Sequence, residues 1–146
     1  MNFLVIGSGG VGASIASIAE TRSFFDQCTL ADMSLESAQR AIDELDDPSR
    51  FRAAQVDARD QRALVELIGT SKADIVVNAC DPRLNESIFD ACFVAGANYI
   101  DMAMNLSSPH PTDPWNQPGR TLGAAQLAAD EAWRDKGLLA LVGMGV

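Results

Sequence analysis

A glycine-rich segment near the N-terminus restricts the folds open to this 146-residue chain more than any other feature. Residues 7–12 read Gly-Ser-Gly-Gly-Val-Gly, a G-x-G-x-x-G pattern. They follow residues 3–6, Phe-Leu-Val-Ile, a short β-branched run typical of a strand that is buried on both faces. They open residues 10–19, where apolar side chains recur at helical spacing. Strand, tight glycine turn and helix in that order predict the first βα unit of an open α/β sheet.

The remainder of the chain alternates apolar runs with helical patterns. Gly69 and Gly96 are expected to end two of the helices, and the last helix is expected to direct Leu122, Ala125, Ala129 and Trp133 inward. Residues 102–118 hold four of the six prolines and are expected to form a long irregular loop. Further strands are predicted at 28–31, 51–56, 75–77, 98–100 and 138–142, and helices at 34–45, 61–67, 83–95 and 122–136.

This alternation predicts the fold class. Strands connected through helices require right-handed crossovers, and therefore a parallel sheet that is covered on both faces. Periodicity alone does not give the strand order, but the glycine motif favours the order 3-2-1-4-5-6. We expect a doubly wound α/β Rossmann fold, with a six-stranded parallel sheet and helices on both faces, as one domain over residues 1–146.

The glycine motif is suited to binding a pyrophosphate. Gly7 would permit the tight turn, Gly9 would let the backbone approach a phosphate without a Cβ, and Gly12 would let the helix pack closely on the strand. Free N–H groups and the positive dipole at the start of the helix would hold the phosphates. A strand–helix turn without a ligand is the alternative. The expected phosphate-binding residues are Gly7, Ser8, Gly9, Gly10, Val11 and Gly12.

Polar residues at the ends of the other strands predict the rest of a dinucleotide site. Asp32 follows Gly12 by 20 residues, at the carboxyl end of the second predicted strand. A carboxylate there accepts hydrogen bonds from an adenosine ribose and repels a 2′-phosphate, so NAD is expected in preference to NADP. An N-cap for the following helix is a second, compatible role for Asp32. The other expected contacts are Met33, Asp57, Ala58, Asn78, Ala79, Cys80 and Asp101.

Composition and residue spacing argue against several other functions. A formal charge of −9 does not favour a protein that binds nucleic acid or an anionic membrane. Residues 1–19 carry no charged side chain, which is also a feature of signal peptides and membrane segments. However, they lack the basic n-region of a signal peptide, and glycines interrupt any apolar span. We therefore expect no targeting segment and a cytoplasmic location. The three cysteines are widely spaced, which predicts reduced thiols and no metal site. His110, the single histidine, is expected to be solvated, and no catalytic residue is assigned.

Seven stretches carry a resemblance to a known family: 5–12 (Val-Ile-Gly-Ser-Gly-Gly-Val-Gly), 31–32 (Ala-Asp), 56–58 (Val-Asp-Ala), 74–79 (Asp-Ile-Val-Val-Asn-Ala), 85–92, 95–101 (Ala-Gly-Ala-Asn-Tyr-Ile-Asp) and 143–145 (Gly-Met-Gly). Together they resemble the N-terminal dinucleotide-binding domain of the saccharopine dehydrogenase family. The resemblance implies a reversible NAD(P)-dependent reaction at a carbon–nitrogen bond. A secondary amine such as saccharopine or a carboxyalkyl polyamine is oxidised to an imine and hydrolysed, and the reverse reaction is a reductive amination.

The resemblance also implies a second domain. Enzymes of this family continue beyond the Gly-Met-Gly strand into a domain that binds substrate and contributes catalytic side chains. The chain is therefore expected to be the N-terminal part of a longer two-domain enzyme. Without the second domain it is expected to bind dinucleotide but to turn over no substrate. The resemblance leaves the oligomeric state open and is compatible with a homodimer. The alternative is a nucleotide-sensing module similar to the regulatory domains of bacterial potassium transport. The proline-rich stretch 102–118 and the sixth strand favour the enzyme.

Overall fold

A single parallel sheet organises the chain in a computed structural model that describes residues 1–145. Val146, the last residue of the expected domain, lies outside the described residues. The strands are β1 (Asn2–Ile6), β2 (Gln27–Asp32), β3 (Phe51–Gln55), β4 (Ile75–Asn78), β5 (Asn98–Asp101) and β6 (Ala140–Leu141). Their order in the sheet is β3-β2-β1-β4-β5-β6, and every pairing is parallel. The predicted doubly wound fold and strand order are confirmed.

Helices pack on both faces of this sheet. The helices are α1 (Gly10–Glu20), α2 (Leu35–Asp43), α3 (Gln61–Ser71), α4 (Asn85–Ala95), α5 (Ala124–Ala128) and α6 (Asp130–Asp135). On one face, α1 and α2 bury Val5 and Leu30 of the central strands. Ile75, Val77 and Ile100 of β4 and β5 stay partly exposed on this α1 face, where they line an apolar groove. On the other face, α3, α4 and α6 bury Leu4, Val76 and Tyr99. The strands at the centre are apolar on both sides because each side has a helical layer to face. No helix within residues 1–145 is long and apolar enough to cross a membrane.

Local capping residues mark the ends of several helices. Ser34 caps α2 by accepting a hydrogen bond from the backbone N–H of Ser37, and Asp60 caps α3 in the same way. Gly96 ends α4 with φ of +80°, as predicted. The prediction that Gly69 ends its helix is wrong, because α3 continues for two more residues. It ends at Lys72, which adopts φ of +51° and donates its backbone N–H to Gly69 O.

The last predicted helix and strand differ from the observed elements. The helix is split at Ala129 into α5 and α6, and the strand is limited to Ala140–Leu141. Leu122 is exposed because Gly123, with φ of +69°, stands between it and α5. Ala125 is exposed as well, whereas Trp133 is buried with its ring centroid 4.6 Å from that of Phe89. The predicted inward stripe is therefore correct for Trp133 and for Ala129, which packs partly buried against the core, and wrong for Leu122 and Ala125.

A buried polar cluster replaces that apolar stripe beneath α5. Asp101 is almost completely buried and accepts hydrogen bonds from Tyr99 Oη (2.9 Å), Gln126 Nε2 (2.6 Å) and Gly143 N (2.6 Å). Gln126 in turn accepts from the backbone N–H of Asn105 at 3.0 Å. Charge-assisted bonds of this kind are strong where water is excluded. They attach the irregular loop after β5, and α5, to the carboxyl end of the sheet.

Replacement of Gly12 by alanine is expected to lower the free energy of unfolding by about 3 kcal/mol or more. The new Cβ would lie 1.8 Å from the carbonyl oxygen of Gly7. Gly69→Ala is the matched control, since Gly69 is also helical but has no atom within 4 Å of an added Cβ. It should leave stability unchanged or raise it by up to about 1 kcal/mol. Urea unfolding followed by circular dichroism measures both variants, and wild-type stability in Gly12→Ala would contradict the close packing of α1 on β1.

Candidate functional site

The carboxyl ends of the central strands open onto a cleft of about 570 Å³. This is where ligands bind in open α/β sheets, at the point where the strand order reverses. The reversal lies between β1 and β4, whose connections run to opposite sides of the sheet. Predicted site residues that line the cleft are Gly7, Gly9, Asp32, Met33, Asp57, Ala58, Ala79 and Cys80.

The glycine turn has the geometry that its sequence predicts. Gly7 adopts φ of +101°, and an added Cβ would lie 2.8 Å from Ala79 O. Gly12 lies against Gly7 O, so α1 approaches β1 as closely as backbone atoms allow. Gly9 differs from both, because no protein atom lies within 4 Å of the position that a Cβ would occupy. The fold needs Gly7 and Gly12, whereas an open position at Gly9 fits a ligand that approaches the backbone.

The first turn of α1 supplies hydrogen-bond donors to this cleft. Gly9 is the N-cap and makes no side-chain cap bond, and the first turn of α1 holds no acidic residue. The N–H groups that begin a helix have no partner within the helix. They carry the positive end of its dipole, which binds anions. Ser8 and Gly10 line a neighbouring groove on the α2 side, and the side chain of Val11 is exposed.

Asp32 holds the glycine turn in place. Its Oδ2 accepts hydrogen bonds from Ser8 N at 2.8 Å and Ser8 Oγ at 2.9 Å, and its Oδ1 accepts from Ser34 N at 3.0 Å. Burial alone would raise the pKa of the Asp32 carboxyl, but the bonds from Ser34 and Ser8 outweigh burial and hold the pKa below its ordinary value. Three of about four acceptor positions are thus occupied, which leaves one for a ligand. The N-cap of α2 is Ser34, not Asp32.

Two arginines that were not among the predicted site residues also line the cleft. Arg59 donates through Nε and Nη2 to the carboxylate of Asp57, both at 2.9 Å. Arg83 makes the same two bonds to Asp81, at 2.8 and 2.9 Å. The bond from Arg83 holds the pKa of Asp81 down at about 2, and Arg59 lowers the pKa of Asp57 in the same way. A repeated Asp-x-Arg pattern at 57–59 and 81–83 was the available signal.

The side chains of Asn78 and Asp101 point away from the cleft. Asn78 Nδ2 donates to Asn85 Oδ1 at 2.8 Å and to Tyr99 Oη at 3.0 Å, so it belongs to the same buried cluster as Asp101. Direct contact of either side chain with a ligand would require these bonds to break. Asn78 Oδ1 accepts from Cys80 N at 3.0 Å, and through that bond it fixes the backbone that does line the cleft.

The remaining candidate groups do not form a reactive centre. Cys80 Sγ lies in the cleft and donates to Ile6 O at 3.3 Å. His110 lies in the irregular loop, where its Nδ1 accepts from Asp113 N at 3.1 Å. Within residues 1–145, no three His, Cys, Asp or Glu side chains are grouped so that they could hold a metal ion. The cleft therefore has the groups for binding a phosphate-containing ligand and none arranged for nucleophilic catalysis.

Known proteins match both the sequence and the fold. The family model described as saccharopine dehydrogenase NADP binding domain matches residues 3–141. Carboxynorspermidine synthase from Vibrio cholerae is 32% identical over 114 residues, which cover 73% of this chain and 28% of that protein. Carboxyaminopropylagmatine dehydrogenase from Synechocystis is 27% identical over 142 residues, covering 97% and 33%. Apo saccharopine dehydrogenase (L-Glu forming) from Saccharomyces cerevisiae superposes with a TM-score of 0.71 at 16% identity, covering 98% and 27%.

These matches show the family and the fold of the chain and how much of its relatives it spans. The chain spans about a third or less of the length of the curated relatives. The likeness to the yeast structure, at its low identity, shows a shared fold only. The family resemblance that the sequence motifs predict is confirmed, and the description of the family supports NAD(P) as the cofactor without showing the predicted preference for NAD.

Gly9→Ala is expected to weaken dinucleotide binding by about tenfold or more while lowering the free energy of unfolding by no more than about 1 kcal/mol, since alanine is a poorer N-cap than glycine. The added methyl would meet no protein atom but would occupy the space that a pyrophosphate needs. Titration calorimetry and thermal unfolding measure the two properties separately, with Gly69→Ala as the control that changes neither by much. Unchanged affinity in Gly9→Ala would contradict a phosphate at this position.

Cys80 is expected to react slowly with iodoacetamide at pH 8. Burial raises the pKa of its thiol to about 11, and the carboxylates of Asp32 and Asp81 add to the increase. Because the thiolate is the nucleophile, the rate should rise about tenfold per pH unit from pH 8 toward 11. Peptide mass spectrometry measures the rate, with the urea-unfolded chain as the control. Alkylation of the folded chain at the unfolded rate would contradict this environment.

Proposed function

The chain belongs to the saccharopine dehydrogenase NADP binding domain family, and from that premise we propose that it binds NAD(P) for an oxidoreductase acting on the CH–NH bond of an amino acid or polyamine conjugate. The observation that carries the proposal is the open position at Gly9, at the start of α1 and within the cleft. The backbone there leaves space for a group that a Cβ would exclude. A pyrophosphate fits both that space and the donors of the first turn.

The residues of this chain would bind and orient the cofactor. The turn 7–12 would hold the pyrophosphate, and the free acceptor position of Asp32 would take one hydroxyl of the adenosine ribose. Ala79 and Cys80, fixed by Asn78, would support the middle of the dinucleotide. Bound NAD(P) supplies the hydride acceptor or donor. The apolar wall formed by Ile6, Val56 and Leu84 would exclude water from one side of the cleft.

The names of the relatives support the proposed substrate class. A carboxynorspermidine synthase and a carboxyaminopropylagmatine dehydrogenase are named for carboxylated polyamine conjugates. We therefore place the substrate among secondary amines that carry a carboxylate, in line with the reductive amination that the sequence resemblance implies. The match of the family model over residues 3–141 favours this oxidoreductase over a nucleotide-sensing module.

We further propose that the substrate-binding and catalytic side chains of such an enzyme come from the part that this chain does not match. The Vibrio relative has 28% of its length covered by the match. The described residues bring no acid–base pair into the cleft apart from the two Asp–Arg ion pairs. The purified chain should therefore bind dinucleotide but show no turnover of a secondary amine. Measurable turnover would contradict the proposal that the catalytic side chains lie outside this chain.

Titration calorimetry with NAD⁺, NADH, NADP⁺ and NADPH tests the proposed function directly. We expect binding, and we expect Asp32→Ala to weaken it by about tenfold or more, because the variant loses the bonds to Ser8 and the ribose contact. Asp43→Ala, which removes an exposed carboxylate from α2, is the control for the change of charge. A chain that binds none of the four nucleotides would contradict the proposal. Wild-type affinity in Asp32→Ala would show that Asp32 does not contribute to nucleotide binding.

A further inference from the structure

We propose that Asp101 is a positioning residue for the dinucleotide, although its side chain points away from the cleft. The inference rests on the proposed function, because the backbone that it positions, at Ala79 and Cys80, lines the proposed nucleotide site. Asp101 acts through Asn78, which accepts a hydrogen bond from Cys80 N. The buried hydrogen bonds between Asp101 and Asn78 determine which way the amide of Asn78 faces.

The direction of these hydrogen bonds begins at the carboxylate. An ionised carboxylate can only accept, so each polar neighbour of Asp101 must donate to it. Tyr99 Oη lies 2.9 Å from Asp101 Oδ2, and the single hydroxyl proton of Tyr99 is used in that bond. Asn78 Nδ2 lies 3.0 Å from the same hydroxyl oxygen. Because the hydroxyl has no second proton to donate, the part of the Asn78 amide that faces it must be the NH₂ group.

Asn85 imposes the same direction by a second route. Its Nδ2 donates to Asp101 Oδ2 at 3.4 Å, so its Oδ1 faces Asn78 and accepts from Asn78 Nδ2 at 2.8 Å. Asn78, Asn85, Tyr99 and Asp101 are each at most 1% exposed, so bulk water does not replace these bonds. Both routes therefore leave Asn78 Oδ1 as the atom that faces Cys80 N.

The orientation of this amide decides the shape of one wall of the cleft. Asn78 Oδ1 accepts from Cys80 N at 3.0 Å and closes an Asx turn at the carboxyl end of β4. A Cβ at Gly7 would lie 2.8 Å from Ala79 O, so the Asx turn lies directly against the glycine turn. With the amide reversed, its NH₂ group would face Cys80 N–H, and two donors would meet. The Asx turn would then open beside the phosphate-binding residues.

A purely structural role for Asp101 is the alternative, and Gln126 separates the two roles. Gln126 Nε2 donates to the same oxygen, Asp101 Oδ2, at 2.6 Å. It makes no hydrogen bond to Asn78 or Cys80 within residues 1–145. Loss of the Gln126 amide would therefore loosen the segment after β5 without changing the direction of the Asn78 amide. A structural role predicts equal loss of nucleotide binding at Asp101 and Gln126, whereas a positioning role predicts loss at Asp101 alone.

The first experiment compares Asp101→Asn and Gln126→Met with the wild type. Titration calorimetry measures binding of NADH and NADPH, NMR measures exchange of the Cys80 N–H with solvent, and thermal unfolding checks that each variant is folded. The amide introduced at position 101 can donate to Tyr99 Oη and so allows the Asn78 amide to reverse. We expect Asp101→Asn to weaken both nucleotides by about tenfold and to speed up the exchange by about tenfold or more. Gln126→Met should lower the Tm but keep both affinities within about twofold.

A second substitution tests the direction of the hydrogen bonds itself. In the double variant Asp101→Asn/Asn78→Asp, the carboxylate moves to position 78 and the net charge is unchanged. Both of its oxygens are acceptors, so Cys80 N has an acceptor whichever way the group is turned, and Tyr99 can donate to it. We expect the double variant to bind NADH and NADPH within about threefold of the wild type. A carboxylate needed only to anchor the segment after β5 would not be replaced by one at position 78.

Equal losses in Asp101→Asn and Gln126→Met would overturn the inference, and so would a folded double variant that binds no better than Asp101→Asn. If Asp101→Asn does not fold, Tyr99→Phe takes its place, because it removes the hydroxyl and keeps the ring. Tyr99→Phe is expected to weaken both nucleotides by about threefold and to speed up exchange of the Cys80 N–H, since the Asn85 route remains. Wild-type affinity and exchange in Tyr99→Phe would overturn the inference alone. A folded wild type that binds neither nucleotide would contradict the proposed function, and the inference with it.

Discussion

The contact between Gly12 and the carbonyl group of Gly7 is the constraint on which the rest of the site depends. A Cβ at Gly12 would lie 1.8 Å from Gly7 O, so α1 can take its place against β1 only without a side chain there. That placement brings the first turn of α1 to the carboxyl end of the central strand. The donors of the turn then face the cleft instead of solvent at the side of the sheet. The bond from Gly7 N to Ala31 O at 2.8 Å joins the turn to β2.

The other half of the sheet is organised by a buried carboxylate rather than by glycine. Asp101 ends β5, and its donors come from the strand itself, from α5 and from the turn after β6. A buried charge is stable only when it is fully paired, so each of these donors constrains the segment that carries it. The loop between β5 and α5 is held further by an ion pair between Arg120 and Glu86 of α4. The proline-rich segment is thereby attached to β5 and α4.

The sequence was sufficient to predict the features that depend on periodicity and on glycine. Strand order followed from the glycine motif, and Gly96 ended α4 because it can adopt a positive φ. The direction of Asn78 was also available from the sequence. It shares a face of β4 with Val76, and its register partner Asp101 shares a face of β5 with Tyr99, so both point under α4 with those buried residues. The end of α3 and the split at Ala129 could not be predicted from periodicity. Tertiary hydrogen bonds form near both, from Asn2 Nδ2 to Lys72 O and from Gln126 Nε2 to the buried Asp101.

The role of Asp32 shows why one acidic residue at the end of β2 is not a sufficient guide to the cofactor. The pattern of sequence is the same whether the carboxylate is free or already bonded. Ser8, inside the glycine motif itself, contributes two of the three donors that occupy it, so the same side chain that suggests a ribose contact holds the phosphate-binding turn. Its remaining acceptor position can serve one hydroxyl but not both. The position of Asp32 in the sequence therefore does not by itself decide between the two cofactors.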